Sequence, residues 1–127
     1  MPADLASLGY TRQVCIDFSA TVVKVMSEQH RDIAGISWHQ ADLRDMGAVA
    51  EDKAVDVAFD KATLDAMIYG SGRNPPAEVK ENTAKYLAEV HHLLEDDGIF
   101  ICVSFPQPHF IRPLLTANGL WDTEVRY

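Results

Sequence analysis

The chain has 127 residues, 47% of them hydrophobic, which is enough for one globular domain with a buried core. A formal net charge of −8 and a pI near 4.9 argue against nonspecific binding to nucleic acid or anionic membranes, because both attract basic surfaces. The sequence offers no apolar stretch long enough to span a bilayer and no secretory signal, so a cytoplasmic location is expected.

The first half of the chain alternates strand-like and helix-like segments. In chain order it predicts a short helix over 3–8, a strand over 12–17, a helix from Ser19 to about His30, and a strand over 35–40. Ser19 is a suitable N-cap, and Val22, Val23 and Met26 would form the apolar face of the second helix. A less regular stretch follows up to residue 54.

The second half continues the same alternation. It predicts a strand over 55–59, a short helix over 63–69, a long helix capped by Asn74, a strand over 99–105, a broken helix over 108–119, and a last strand over 120–127. The long helix carries an apolar stripe at three- and four-residue spacing: Val79, Thr83, Tyr86, Leu87, Val90, Leu93 and Leu94. The strand "IFICVSF" is so hydrophobic that burial on both faces is expected.

Strands that alternate with helices in this way predict an α/β fold, with a mostly parallel sheet covered by helices on both faces. The two cysteines, Cys15 and Cys102, both lie in apolar strand segments. We expect them to be buried free thiols, which fits a reducing compartment.

Carboxylates follow three of the predicted strands, where ligands of open parallel sheets bind. The strands end at Asp17, near Asp42, and at Asp60 with its neighbour Lys61. Each acid also has a local interpretation: Asp17 caps the next helix, Asp42 forms a loop turn, and Asp60 makes a surface ion pair with Lys61. Together they favour a ligand, because three acids at one end of a sheet would otherwise repel one another.

The order of these acids suggests what the ligand is. A carboxylate that closes the second strand of a nucleotide-binding unit accepts two ribose hydroxyls, and one a strand further out could accept from an adenine amino group. The series "IDFS", "ADL" and "FDKATLDA" therefore predicts an adenosine-containing cofactor across the strand ends.

These motifs resemble those of the seven-strand S-adenosylmethionine-dependent methyltransferases. The most specific is "VDVAFDKATLDAM", which is similar to the signature of the branch that methylates lysine in translation elongation factor 1-alpha. "CIDFSATVVKVM", "HQADLRDM" and "YLAEVHHLLEDDGIFICVSFPQPHF" match further segments of that branch. The resemblance implies a Rossmann-like fold, S-adenosylmethionine as cofactor, and a protein substrate that could be a translation elongation factor.

The resemblance also assigns the site residues. Asp17 would bind the ribose with Phe18 against the adenine, and Asp42 and Leu43 would hold the adenine edge. Lys61, with Asp60, would border the methionine part of the cofactor and the acceptor pocket.

His109, in the Pro-His-Phe segment, is a weaker candidate for contacting the substrate. No residue is assigned as a general base, because a sulfonium is already an activated methyl donor and alignment does most of the work. None of the five histidines shows metal-ligand spacing, so no metal is expected.

The chain also departs from the family pattern. Ala62 replaces a glycine of the signature, which would cause strain if that position needs a positive φ. The family's first, central strand with its Gly-rich loop and its last strand are expected to be absent, which makes residues 1–127 a single, partial methyltransferase domain. Unpaired strand edges would then favour a partner that supplies a strand, or a homodimer.

Three functions therefore compete. The first is transfer of methyl from S-adenosylmethionine to a protein lysine. The second is a catalytically inactive, truncated remnant that acts as a protein-binding module. The third, a nicotinamide nucleotide binder, is disfavoured because the glycine fingerprint of such sites is absent.

Overall fold

The computed structural model of the chain describes residues 1–72 and 74–126, which form two compact units, Met1–Val49 and Ala50–Tyr127. The first unit contains α1 (Pro2–Ser7), β1 (Gln13–Asp17), α2 (Ala20–Gln29) and β2 (Ile36–Gln40). The second contains β3 (Val55–Lys61), α3 (Thr63–Ile68), α4 (Ala77–Leu93), β4 (Leu94–Val103) and α5 (Pro108–Thr116). Within the described residues, no helix has the length and apolar character needed to cross a membrane.

The first unit is a parallel strand pair joined by a helix. β1 and β2 pair in register from Gln13 opposite Ile36 to Asp17 opposite Gln40. Gly35 makes this start possible: its φ is +87°, and a Cβ there would lie 1.7 Å from the Thr11 carbonyl oxygen.

Helix α2 begins as the sequence predicts. Ser19 is its N-cap, and the hydroxyl accepts a hydrogen bond from the Val22 N–H at 3.3 Å. Val23 and Met26 are half-buried, but Val22 is 41% exposed. The expectation that Val22 belongs to the apolar face is therefore wrong.

The second unit is also built on a parallel pair. β3 and β4 pair from Val57 opposite Ile99 to Lys61 opposite Val103, and the preceding pair is Val55 opposite Leu94. The ladder therefore skips residues 95–98, which form an irregularity in β4. With two parallel strand–helix–strand pairs, the predicted α/β, Rossmann-like class is confirmed.

Helix α4 organises the core of the second unit. Five residues of the predicted stripe are its buried side chains: Thr83, Tyr86, Leu87, Val90 and Leu93. Val79 is half-buried, and Leu94, predicted as part of the helix, is the first residue of β4. Leu64 of α3 and Ile111 of α5 are buried as well, and both helices pack against α4. The helix begins at Ala77 after Pro76, and the Asn74 side chain instead accepts from Lys80 Nζ at 3.0 Å. The expected Asn74 cap is therefore wrong.

One face of the β3–β4 pair is open to solvent. Val57, Phe59, Ile99, Ile101 and Val103 alternate with half-buried or buried neighbours and are between 43% and 58% exposed. Burial of β4 on both faces, which its hydrophobicity predicts, is therefore wrong: α4 packs against this strand pair, and these five side chains remain exposed.

The end of the chain differs from the expectation too. Residues 120–126 form no strand, and Tyr127, the last residue of the predicted strand, lies outside the described residues, as does Arg73 of the predicted loop. Cys15 and Cys102 are both free thiols, as predicted, but each is half-buried rather than fully buried.

Candidate functional site

The carboxyl edge of the β1–β2 pair gathers the site residues of the first unit. Asp17 lies opposite Gln40 in the ladder, and the Ala41 N–H donates to the Asp17 carbonyl oxygen at 3.1 Å. Asp42 follows directly, so Asp17 and Asp42 end neighbouring strands at the same edge. The two acids therefore lie at one strand edge, as the sequence predicts, and their part in binding a ligand stays a prediction.

Asp17 uses one of its carboxylate oxygens internally. Oδ1 accepts the N–H of Ser19 at 2.8 Å, which orients the residue that caps α2. Among residues 1–72 and 74–126, Oδ2 has no hydrogen-bond partner. Asp17 thus orders the strand–helix turn and still presents one acceptor oxygen.

Phe18 is the next residue in this turn, and its side chain is 77% exposed. A phenyl ring this exposed gains little from burial in the fold. It presents a flat apolar surface beside Asp17.

Asp42 is held by a nearby arginine. Its Oδ1 accepts the Arg44 backbone N–H at 2.9 Å, and Arg44 Nη2 donates to Oδ2 at 2.7 Å. The loop-turn interpretation of Asp42 is therefore confirmed. The Asp42–Arg44 ion pair is exposed and therefore adds little stability. Leu43, between the two residues, is half-buried.

Asp60 is the buried acid of the second unit, with 3% of its surface exposed. Oδ1 accepts the Thr63 N–H at 2.7 Å, and Oδ2 accepts the Leu64 N–H at 3.0 Å and the Tyr86 hydroxyl at 2.8 Å. The carboxylate thus satisfies the first N–H groups of α3 and ties that helix to α4. The alternative of a surface ion pair with Lys61 is wrong, because Asp60 is not at the surface.

The surroundings of Asp60 shift the pKa values of two neighbours. Burial, followed by the charge of Asp60, raises the pKa of the Tyr86 phenol well above its ordinary value. Burial, followed by the charges of Asp60 and Asp65, raises the pKa of the Cys102 thiol to about 12. Tyr86 therefore remains a donor to Asp60 at neutral pH, and Cys102 remains an unreactive thiol.

Asp65 is a residue whose role the sequence did not indicate. The Ser104 hydroxyl donates to its Oδ1, and the Phe105 N–H donates to its Oδ2 at 2.8 Å. Asp65 therefore anchors the turn after β4 to α3. An acid in the first helical turn is a favourable pattern in any helix, so spacing alone could not reveal partners 39 and 40 residues away.

Lys61 and Ala62 lie between the anchored residues Asp60 and Asp65. Lys61 is exposed at the end of β3, and Ala62, the N-cap of α3, adopts φ +71° and ψ 4°. The conformation is left-handed, so the strain expected from alanine in place of glycine is present here.

His109 lies in the first turn of α5. Its side chain is exposed, and its ring centroid is 4.3 Å from that of Phe110. Nearby, the Phe105 side chain is 98% exposed although its backbone is anchored by Asp65. The second unit thus presents a cation, a histidine and an exposed aromatic ring after the ends of its strands.

The carboxylates of the two units differ in how much of their hydrogen-bonding capacity is used within the protein. Asp60 and Asp65 accept hydrogen bonds from the protein itself, whereas Asp17 has an acceptor oxygen to spare. That the three strand-end acids form one continuous rim remains a prediction.

The sequence matches the family model described as a methyltransferase domain over residues 1–102. Members of that family generally use S-adenosylmethionine.

Individual relatives extend this match. The chain is 30% identical over 121 residues to mouse (Mus musculus) EEF1A lysine methyltransferase 4, which covers 94% of this chain and 46% of the relative. It is 31% identical over 109 residues to the eEF1A lysine and N-terminal methyltransferase of Danio rerio, covering 85% of this chain and 14% of the relative. The Homo sapiens protein of the latter name is 29% identical over 109 residues, with coverage of 85% and 15%. The chain thus spans less than half the length of these relatives.

Proposed function

Since this chain belongs to the methyltransferase domain family, we propose that it binds S-adenosylmethionine and transfers the methyl group to a lysine side chain of a protein. The observation that carries the proposal is the pair of adjacent residues at the carboxyl end of β1. Asp17 has one acceptor oxygen without a partner among the described residues, and Phe18 exposes 77% of its side chain beside it.

The adenosine half of the cofactor suits the first unit. Asp17 Oδ2 would accept the ribose hydroxyls, and Phe18 would lie against the adenine. Asp42 and Leu43 would hold the adenine edge, although the Asp42 carboxylate already binds Arg44. We therefore assign most of the recognition to Asp17 and Phe18.

The methionine half is assigned to the end of β3. Lys61 is exposed there and would pair with the cofactor's carboxylate. Asp60 is buried and bonded to α3 and Tyr86, so its role would be to hold Lys61 and the start of α3 in place rather than to touch the ligand.

S-adenosylmethionine supplies a methyl group on a positively charged sulfur, which is an activated donor. The protein's own task is to position a neutral lysine amine in line and to exclude water. The exposed Phe105 ring and His109 would line the path of the acceptor side chain. No general base is assigned among the described residues.

The acceptor is proposed from the relatives. Their names describe methylation of eEF1A lysine, so we propose a protein lysine, with eEF1A as the first substrate to examine. The free thiols Cys15 and Cys102 support a cytoplasmic, reducing location.

Calorimetric titration with S-adenosylhomocysteine tests the binding step. Asp17→Asn retains an oxygen for the Ser19 N–H but removes the charge, and we expect it to weaken binding about tenfold or more; Asp17→Ala should abolish it. Asp32→Asn is the matched control, because Asp32 is exposed and precedes β2 at its opposite end. Unchanged affinity in Asp17→Asn would refute the ribose assignment.

Methyl transfer is a separate measurement. Incubation with eEF1A and S-adenosylmethionine carrying a labelled methyl group should transfer label to a lysine of eEF1A. An absence of both binding at millimolar ligand and transfer would favour the alternative of an inactive protein-binding module, which the exposed apolar face of β3 and β4 also supports.

A further inference from the structure

Asp65 lies where the two chain segments that follow β3 and β4 start side by side. Lys61 at the end of β3 is the ladder partner of Val103, and the Ala62 N–H donates to the Val103 carbonyl oxygen at 3.1 Å. From there one segment becomes α3, and the other is the turn after β4, residues 104–107. Asp65 belongs to α3 and binds this turn.

Both carboxylate oxygens of Asp65 are used on the turn after β4. The Ser104 hydroxyl donates to Oδ1, and the Phe105 N–H donates to Oδ2 at 2.8 Å. Two bonds to one carboxylate fix the orientation of the turn as well as its position, and bonds to a charged acceptor are stronger than neutral ones. Pro106 and Pro108 have no N–H, so the turn has few other backbone donors with which to hold its position.

The helix to which the turn is bound is itself held in place by a different acid. Asp60 accepts the Thr63 N–H at 2.7 Å and the Leu64 N–H at 3.0 Å. It also accepts the Tyr86 hydroxyl of α4 at 2.8 Å. Because Asp60 serves the first N–H groups of α3, the carboxylate of Asp65 is left to serve the turn after β4.

We propose that Asp65 is a positioning residue for methyl transfer. By holding the turn after β4, it fixes the path of the acceptor side chain relative to the end of β3. The proposal rests on the proposed function, in which Lys61 borders the methionine half of the cofactor and Phe105 lines the path of the acceptor. Because Asp65 sets the position of one of these residues relative to the other, it acts on the reaction without touching a reactant.

The reaction depends on this geometry because methyl transfer is an in-line displacement. The lone pair of a neutral lysine amine forms the N–C bond while the C–S bond breaks and its electron pair returns to sulfur. The methylated ammonium that results loses its extra proton to water. No step needs a carboxylate as a reactant, whereas a misplacement of about 1 Å can cost about hundredfold in rate.

Steady-state kinetics of the whole chain, with eEF1A as acceptor, separate positioning from a general loss of structure. Asp65→Ala removes both hydrogen bonds, and we expect kcat to fall about hundredfold. The Kd for S-adenosylhomocysteine, measured by calorimetric titration, should stay within about threefold of the wild-type value, because no residue assigned to the cofactor is replaced. Glu78→Ala is the matched control: Glu78 is an exposed acid in the first turn of α4, and both quantities should be unchanged.

Ser104→Ala removes one of the two bonds and keeps the charge of Asp65. We expect it to lower kcat about tenfold in the wild-type background and less than about twofold in Asp65→Ala, since the bond is already lost there. Circular dichroism shows whether each variant folds. If Asp65→Ala does not fold, the split between kcat and S-adenosylhomocysteine affinity in Ser104→Ala decides the question.

Amide hydrogen exchange measures the anchoring itself and needs no acceptor. The Phe105 amide should exchange at least about tenfold faster in Asp65→Ala than in the wild type. The amides of Leu87 and Val90, in the buried part of α4, should stay slow in both proteins. Unchanged exchange at Phe105 would show that the bond to Asp65 does not hold the turn.

The kinetic outcomes separate this proposal from the proposed function. If the wild type is active and Asp65→Ala keeps its kcat, or if kcat and cofactor affinity fall together, Asp65 is not a positioning residue. Equal effects of Ser104→Ala in both backgrounds would show that Asp65 does not act through the turn. A wild-type chain that methylates no lysine of eEF1A would instead refute the proposed reaction, and the role of Asp65 in it would be refuted as well.

Discussion

Ala62 shows how a single backbone angle links the sequence to the structure. The residue holds φ +71° at the start of α3, between the anchored Asp60 and the first helical residues. A left-handed conformation costs a residue with a Cβ roughly 1–2 kcal/mol. The signature that this chain resembles has glycine there, which avoids the cost.

We therefore expect Ala62→Gly to stabilise the protein by about 0.5–1 kcal/mol. This is less than the strain that it relieves, because the greater freedom of glycine in the unfolded chain offsets part of the gain. Ala66→Gly is the matched control. Ala66 lies within α3, where glycine should instead destabilise by up to about 1 kcal/mol. Urea unfolding of the three proteins measures both changes. A loss of stability in Ala62→Gly would contradict the strain.

Asp60 and Asp17 show how far the surroundings of a single residue can be predicted from the sequence. The position of Asp60 at the end of a strand follows from the local sequence. Its burial does not, because that depends on Tyr86, 26 residues further along the chain. Asp17 was easier to predict, since its partner Ser19 is two residues away.

At the scale of elements, helices are more predictable than the covering of a sheet. The stripe on α4 could be read from spacing, because a helix that buries one face needs only a local pattern. The hydrophobicity of β4 gave the strand but not its surroundings. The composition of a strand shows that its side chains favour burial. Whether they are buried depends on other elements packing against them.

The exposure of one face of β3 and β4 predicts that polar substitutions there change stability little. Ile101 is 43% exposed, so Ile101→Thr should change the free energy of unfolding by less than about 1 kcal/mol. Leu87→Ala, at a position 1% exposed, should cost about 2–5 kcal/mol. Denaturant unfolding of both variants provides the comparison. A cost for Ile101→Thr as large as that for Leu87→Ala would mean that this face is covered in solution.

At the scale of the whole molecule, the chain forms two compact units, whereas residues 1–127 are predicted to act as a single, partial domain. Each unit contains one tryptophan, Trp38 in the first and Trp121 in the second. Trp38 stacks on His30 at 6.2 Å between ring centroids, and Trp121 packs on Phe100, so each should report the unfolding of its own unit.

If the chain folds as one domain, fluorescence of Trp121→Phe and Trp38→Phe should give the same unfolding midpoint after correction for each variant's stability. Circular dichroism of both variants is the reference for overall unfolding. Midpoints that differ between the fluorescence of one variant and its circular dichroism would indicate that the two units unfold separately.

The anchoring of the turn after β4 by Asp65 affects how mutants of the signature motif should be interpreted. Replacing Asp65 would release Ser104 and Phe105 together, and replacing Asp60 would free the start of α3. Under the proposed function, we expect either variant to lose methyl transfer although the replaced carboxylate accepts hydrogen bonds from the protein itself. Loss of activity in an aspartate variant of this motif should therefore be attributed to altered local structure until the folding of that variant has been measured.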